Sequence, residues 1–142
     1  VTRRTGGEDG AAAPSSPPSH ALALVTGQRY PVGERMHTLT PRLARATELA
    51  RLVLLDVAAH GEVLTYGELS EAIGGAVLPR HMGPLLHMLG HDCTLRGEPG
   101  LPALVVSAST GEVGTPDGSW APPERRACWR YWGAQGASQA PG

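Results

Sequence analysis

The stretch from Gly61 to Gly83, GEVLTYGELSEAIGGAVLPRHMG, constrains the fold more than any other part of the chain. Thr65-Tyr66-Gly67-Glu68 has the pattern of a capping box, in which a Thr hydroxyl and a Glu carboxylate satisfy each other's backbone N–H groups. A helix therefore opens at Tyr66. It buries Leu69 and Ile73, four apart on one face, and stops at Gly74-Gly75, where a positive φ costs nothing. Pro79 and Arg80 introduce a second helix through Leu85, Leu86, Met88 and Leu89 to Gly90. Pro84 would break a helix interior but is tolerated in a first turn, so this helix begins no earlier than about Arg80. A helix, a tight turn and a helix make a helix-turn-helix.

The flanking segments extend the pattern. Thr40-Pro41 is a good helix opening, and Leu49, Leu52, Val53 and Val57 follow at helical spacing until Gly61 ends the run. Downstream, HDCTLRGEPG is a polar loop, and LPALVV with a returning Glu112-Val113 after Ser109-Thr110-Gly111 predicts a hairpin over 104 to 114. Ser119 is placed to cap a last helix opening at Pro122 or Pro123, on which Trp129 and Trp132 share a face. The expected fold is mostly α with a small β-hairpin, the parts of a winged helix-turn-helix.

The ends read differently. Gly, Ala, Pro and Ser dominate the first segment and cannot bury enough apolar surface to offset chain entropy. The expected layout is a disordered tail over 1–35, a winged-helix domain over 36–133 and a disordered tail over 134–142. Within the first tail, ALALVT at 21 to 26 is the one patch able to form a brief strand or dock on the domain. A total of 142 residues allows one domain with one core.

Charge and cysteine usage exclude several classes. A formal net charge of −1 excludes a binder that works by bulk positive charge, so any nucleic-acid contact must come from a local patch. All twelve basic residues are Arg. Two cysteines are too few for a disulfide framework, and a reducing cytoplasm is the expected setting. Apolar runs such as Leu52 to Leu55 are far short of the roughly 20 residues that span a bilayer.

Taken together, GEVLTYGELSEAIG, the run Arg80-His81-Met82-Gly83 with Leu85-Leu86, Pro102 with Val105-Val106, and Ser109-Thr110-Gly111-Glu112-Val113-Gly114 resemble a known family. It is that of the alkylguanine DNA alkyltransferases, in their C-terminal DNA-binding domain, and their non-catalytic alkyltransferase-like relatives. The likeness covers roughly Leu43 to Gly114, and the spacing from Tyr66 to Arg80 is its most particular feature. It implies that Tyr66 sits by a DNA phosphate and that Arg80 enters the base stack from the minor groove, where a guanidinium replaces a flipped nucleotide by stacking and hydrogen bonding. Gly83 would permit close approach to the groove, and Thr65, His81, Ser109 and Thr110 complete the DNA-binding set that the resemblance implies.

The reactive centre departs from the family. The active enzymes carry Pro-Cys-His-Arg, whereas this chain has Pro102-Ala103-Leu104-Val105, so no activated thiolate can be built there. Alkyltransferase-like proteins generally keep the His-Arg that this chain also lacks. Cys93 is the one candidate for a displaced nucleophile, but it follows Asp92 near a helix C-terminus, which raises a thiol pKa. His87, His91 and Cys93 have a spacing that metal sites use, without the second Cys or carboxylate cluster of a strong motif. Neither a metal nor another cofactor is expected. Arg125, Arg126 and Arg130 are read as a solvated face rather than a phosphate patch. The expected function is non-catalytic binding of duplex or damaged DNA, with no enzyme activity. The competing reading is a degenerate winged-helix domain that binds protein through ALALVT or its aromatic C-terminal helix.

Overall fold

A computed structural model describes residues 22–114 and 118–139, with side chains to Gly133 on the last helix. The first part of the expected tail, residues 1–21, lies outside the described residues. The fold is mostly helical, with one small antiparallel hairpin.

That hairpin lies at the N-terminal side, in a segment whose composition reads as tail. Strand β1, Arg29–Val32, pairs antiparallel with β2, Arg35–Thr38, and the two-residue loop between them holds Gly33 at φ 62°. The two strands are extended by paired bonds, Gly27 N–H to Leu39 O and Leu39 N–H to Gln28 O, each 2.8 Å. Two residues with a glycine at positive φ are a hairpin signal in their own right, which the averaged composition of residues 1–35 conceals. Of ALALVT, the described residues 22–26 form no strand, yet Leu24 is buried in a cluster with Leu39, Ala44 and Met88. The expected boundary at residue 36 is therefore corrected: the ordered fold already includes residues 22–35.

Helix α1, Pro41–Ala59, begins where Thr40 accepts the Leu43 N–H and ends with Gly61 at φ 68°. Its buried face differs from the expected one. Ala44, Ala46, Thr47, Ala50, Arg51, Leu54 and Ala58 point inward, whereas Leu49 and Leu52 are exposed. Small alanines let α1 lie close to its neighbours, a property that a count of large apolar residues does not register.

Leu64–Thr65 form β3, and α2, Tyr66–Ala72, follows directly. Both halves of the capping box form: Glu68 N–H donates to Thr65 Oγ1 at 3.1 Å, and Thr65 N–H donates to Glu68 Oε1 at 2.8 Å. Such a cap contributes about 1 kcal/mol. Leu69 and Ile73 are buried, and Gly74 and Gly75 take φ near 72° and 74°. A 3-10 turn, Pro79–His81, leads into α3, Met82–Arg96, with Pro84 in the first turn as required. The helix continues six residues beyond Gly90, to a left-handed cap at Gly97 with φ 72°. Gly90 is thus an interior glycine beside Pro102 rather than a stop.

The expected wing is a second correction. After a 3-10 turn at Leu101–Leu104, Val105–Val106 form β4, which pairs in parallel with β3 instead of turning back on itself. Both valines are buried, so they form an inner strand, and the chain then reverses through a turn closed by Ser107 N–H to Glu112 O at 2.8 Å. Last comes α4, Ala121–Gln139, which carries helix into residues 134–139, where a frayed end was expected. Trp129 and Trp132 pack against the main core formed by α1, α2, α3 and the 101–105 segment, as their shared face predicts.

Candidate nucleic-acid interface

The turn Pro79–His81 forms a ridge between two hollows. On one side lies a cleft of about 620 Å³, whose wall includes Tyr66, Pro79, Met82, Gly83, Pro102 and Trp120. On the other side a hollow of about 420 Å³ has His81 in its wall. Arg80 stands between these two residues, exposed, and has no ion-pair partner among the described residues. The preceding Leu78 is also exposed, at 44%. The ridge exists because Gly74-Gly75 end α2 while Pro79 and Pro84 delay α3, which projects the link between the helices.

Tyr66 is half-buried at the opening of α2, and its hydroxyl accepts the Gly114 N–H at 2.9 Å. The phenol therefore serves two ends at once: it closes one wall of the cleft and pins the end of the 107–114 segment. A side chain at Gly114 would put its Cβ 2.8 Å from that hydroxyl, so the close approach requires glycine. Gly83 faces open space, with nothing within 4 Å of where a Cβ would stand.

The other expected residues fall into two groups. Thr65 is engaged in the cap of α2. Ser109 and Thr110 are exposed on the turn, where their hydroxyls bond to Ser107 Oγ at 2.9 Å and Glu112 O at 3.3 Å. Arg125 from α4 pairs with Glu112 and donates through Nε to Ala103 O at 2.9 Å, which fixes the turn against the body of the fold. The guanidinium holds the Glu112 carboxyl below its usual range. Arg125 is thus a fastener of this turn rather than part of a solvated face. Tyr66, Pro79 and Gly83 come together around the cleft, Arg80 crowns the ridge and His81 faces the second hollow.

The cleft carries side chains that the sequence did not bring together. His87 and His91 lie one helical turn apart along α3, and Glu124 and Trp120 approach from the start of α4. Glu124 accepts the Gly100 N–H at 2.6 Å, His87 Nδ1 lies 3.0 Å from Gly83 O, and His91 Nε2 lies 2.6 Å from Pro31 O. His91 thereby ties the N-terminal hairpin to α3. No local motif announces this set, because its two pairs, His87 with His91 and Trp120 with Glu124, are separated by more than 20 residues of chain and meet only through packing.

Pro102 lines the cleft, and Ala103, Leu104 and Val105 are buried. Neither cysteine lines the cleft. Cys93 and Cys128 are free and buried in the main core. Burial pushes the Cys93 thiol up to about 11 and the Cys128 thiol up to about 12. For Cys93, desolvation is the larger influence, ahead of the neighbouring Asp92. A folded-state pKa above the unfolded one means that the native state retains the proton longer, so these thiols contribute stability below about pH 9 and lose it as pH rises toward 11 and 12. Both thiols are expected to resist iodoacetamide at pH 8 in the native protein and to react fully in denaturant, as mass spectrometry would read. Rapid native labelling of Cys93 would contradict this placement.

No family model matches this chain, and neither a curated protein nor a solved structure matches it.

Proposed function

We propose that this chain is a non-catalytic protein of the alkyltransferase-like kind that binds duplex or damaged DNA through the minor groove and works in the cytoplasm. The observation that carries the reading is Arg80: an exposed guanidinium without an ion-pair partner among the described residues, on the turn whose Pro79 and His81 line two different hollows. A projecting side chain flanked by hollows is the shape needed to enter a groove, and the exposed Leu78 beside it supplies an apolar surface that can press on a base step. The guanidinium can stack and hydrogen-bond in the space of a displaced base. Tyr66 and Gly83 keep the adjoining wall smooth.

In this reading α2 and α3 act as the two helices of a winged helix-turn-helix, and the turn from Ser107 to Glu112 stands where a wing would. Its Ser109 and Thr110 hydroxyls face outward toward the backbone. No transfer chemistry accompanies binding, since Ala103 replaces the nucleophile and both thiols are buried and protonated near neutral pH. Of the surfaces considered for a protein partner, Leu24 of ALALVT is buried and Trp129 and Trp132 pack on the core, while Val25 and Tyr131 are exposed.

A formal net charge of −1 implies a modest affinity that falls gently with salt. Titrating a short duplex at several salt concentrations by fluorescence anisotropy is expected to give a logarithmic slope of roughly −2 to −4, at about −0.9 per phosphate neutralised. No binding at low ionic strength would overturn the reading.

A further inference from the structure

The hollow behind the ridge has the side chains of an anion site. It is lined by His37 from β2, Thr40 and Arg42 from the start of α1, and His81 from the ridge, over a floor that includes Leu43 and Val77. Arg42, His37 and His81 are exposed, and among the described residues no carboxylate lines the hollow. Arg42 has no ion-pair partner among the described residues. Thr40 already accepts the Leu43 N–H, so it is a wall rather than a donor held in reserve. In a chain with a formal charge of −1, three basic groups lining one concave surface without an acid among the described residues are a local charge asymmetry.

We propose that His37, Arg42 and His81 form a phosphate-binding site, and that it takes a backbone phosphate of the duplex whose groove Arg80 enters. The assignment to DNA rests on the function proposed above, while the phosphate chemistry stands on the hollow itself. His81 follows Arg80 directly, so one turn presents a side chain to the groove and the next to the strand beside it. A guanidinium contributes a fixed charge and paired N–H donors, whereas each imidazole donates most strongly when protonated. The charged and titratable groups facing the hollow are Arg42 from α1, His37 from β2 and His81 from the ridge, and the Gly75–Leu78 link brings none. The N-terminal hairpin, through His37, gains a functional purpose beyond packing.

The test compares the wild type, Arg42→Gln, the triple variant His37→Gln/Arg42→Gln/His81→Gln and Arg80→Ala, with thermal melts to confirm folding. For a duplex, Arg42→Gln is expected to reduce the steepness of the salt slope by about 1, and the triple variant to weaken binding further. If the triple variant keeps wild-type slope and affinity while Arg80→Ala loses binding, the phosphate site is overturned and the DNA reading stands. If no form binds duplex, the DNA reading falls, and inorganic phosphate decides the site alone. Phosphate-dependent shifts of the His37 and His81 imidazole resonances in the wild type, absent in Arg42→Gln, assign it to free phosphate. Identical spectra with and without phosphate overturn it.

Discussion

Replacing Arg51 with alanine is expected to cost about 3–5 kcal/mol of folding stability, the usual penalty for stranding a buried partner. The side chain is only 1% exposed. It donates to both oxygens of Glu98, at 2.9 and 3.3 Å, lies 3.6 Å from Asp92 and sits 5.8 Å from the centre of the Trp132 ring. Asp92 is fully buried and also accepts from Arg96 Nε at 2.9 Å and from the Ala23 N–H. Arg51 therefore joins α1 to the end of α3, and Asp92 joins both to the N-terminal segment. Truncation would leave Asp92 with reduced compensation and Glu98 without its fork. A melting point lower by more than about 10 °C follows for a domain of this size.

The direction of rescue separates charge from packing. Arg51→Met alone keeps volume but strands the carboxylates, so it should remain strongly destabilised. Adding Asp92→Asn and Glu98→Gln removes the stranded charges, and the triple variant is expected to recover at least half of the loss, because neutral replacements of a whole buried network are often tolerated. Chemical denaturation reads both quantities. Stability of Arg51→Ala within about 1 kcal/mol of wild type would mean that the network is solvated and contributes as little as a surface pair.

What the sequence revealed of this fold follows how local each signal is. The capping box at Thr65 and Glu68, the glycines ending α2 and the position of Pro84 act within a few residues, and the bounds of α2 and the start of α3 were legible from them. Face assignment on α1 was not. Leu49 and Leu52 are exposed while Arg51 is buried, because Asp92 and Glu98, more than 40 residues away, supply the charges that make its burial tolerable. The same holds for the expected wing. Val105-Val106 reads equally well as half of a hairpin or as an inner strand, and only β3, distant in sequence, selects the second.

The candidate site divides along that line too. Tyr66, Arg80 and Gly83 were proposed from spacing and resemblance, since they lie within one short stretch of chain. His87, His91, Trp120 and Glu124 join the cleft from separate elements, and the bond of Tyr66 to Gly114 spans 48 positions. Such pairings carry no local signature, so the sequence pointed to the ridge but not to the two hollows beside it.

Arg80 is the residue on which the functional account depends, and its loss is expected to have the largest effect on binding. Alanine there removes a charge and a planar donor fork from the crest while leaving the fold intact, since the side chain is exposed and forms no ion pair among the described residues. An arginine contact of this kind contributes about 1–3 kcal/mol, or roughly ten- to a hundredfold in affinity. Arg80→Lys retains the charge without the planar fork and should fall between the two. Arg126, exposed on α4 and remote from the ridge in sequence, serves as a charge-matched control. The decisive measurement is the affinity of wild type, Arg80→Ala and Arg126→Ala for one short duplex at low salt. A loss of roughly ten- to a hundredfold confined to Arg80→Ala is predicted, whereas equal affinities for all three, or an equal loss in both variants, would contradict the account.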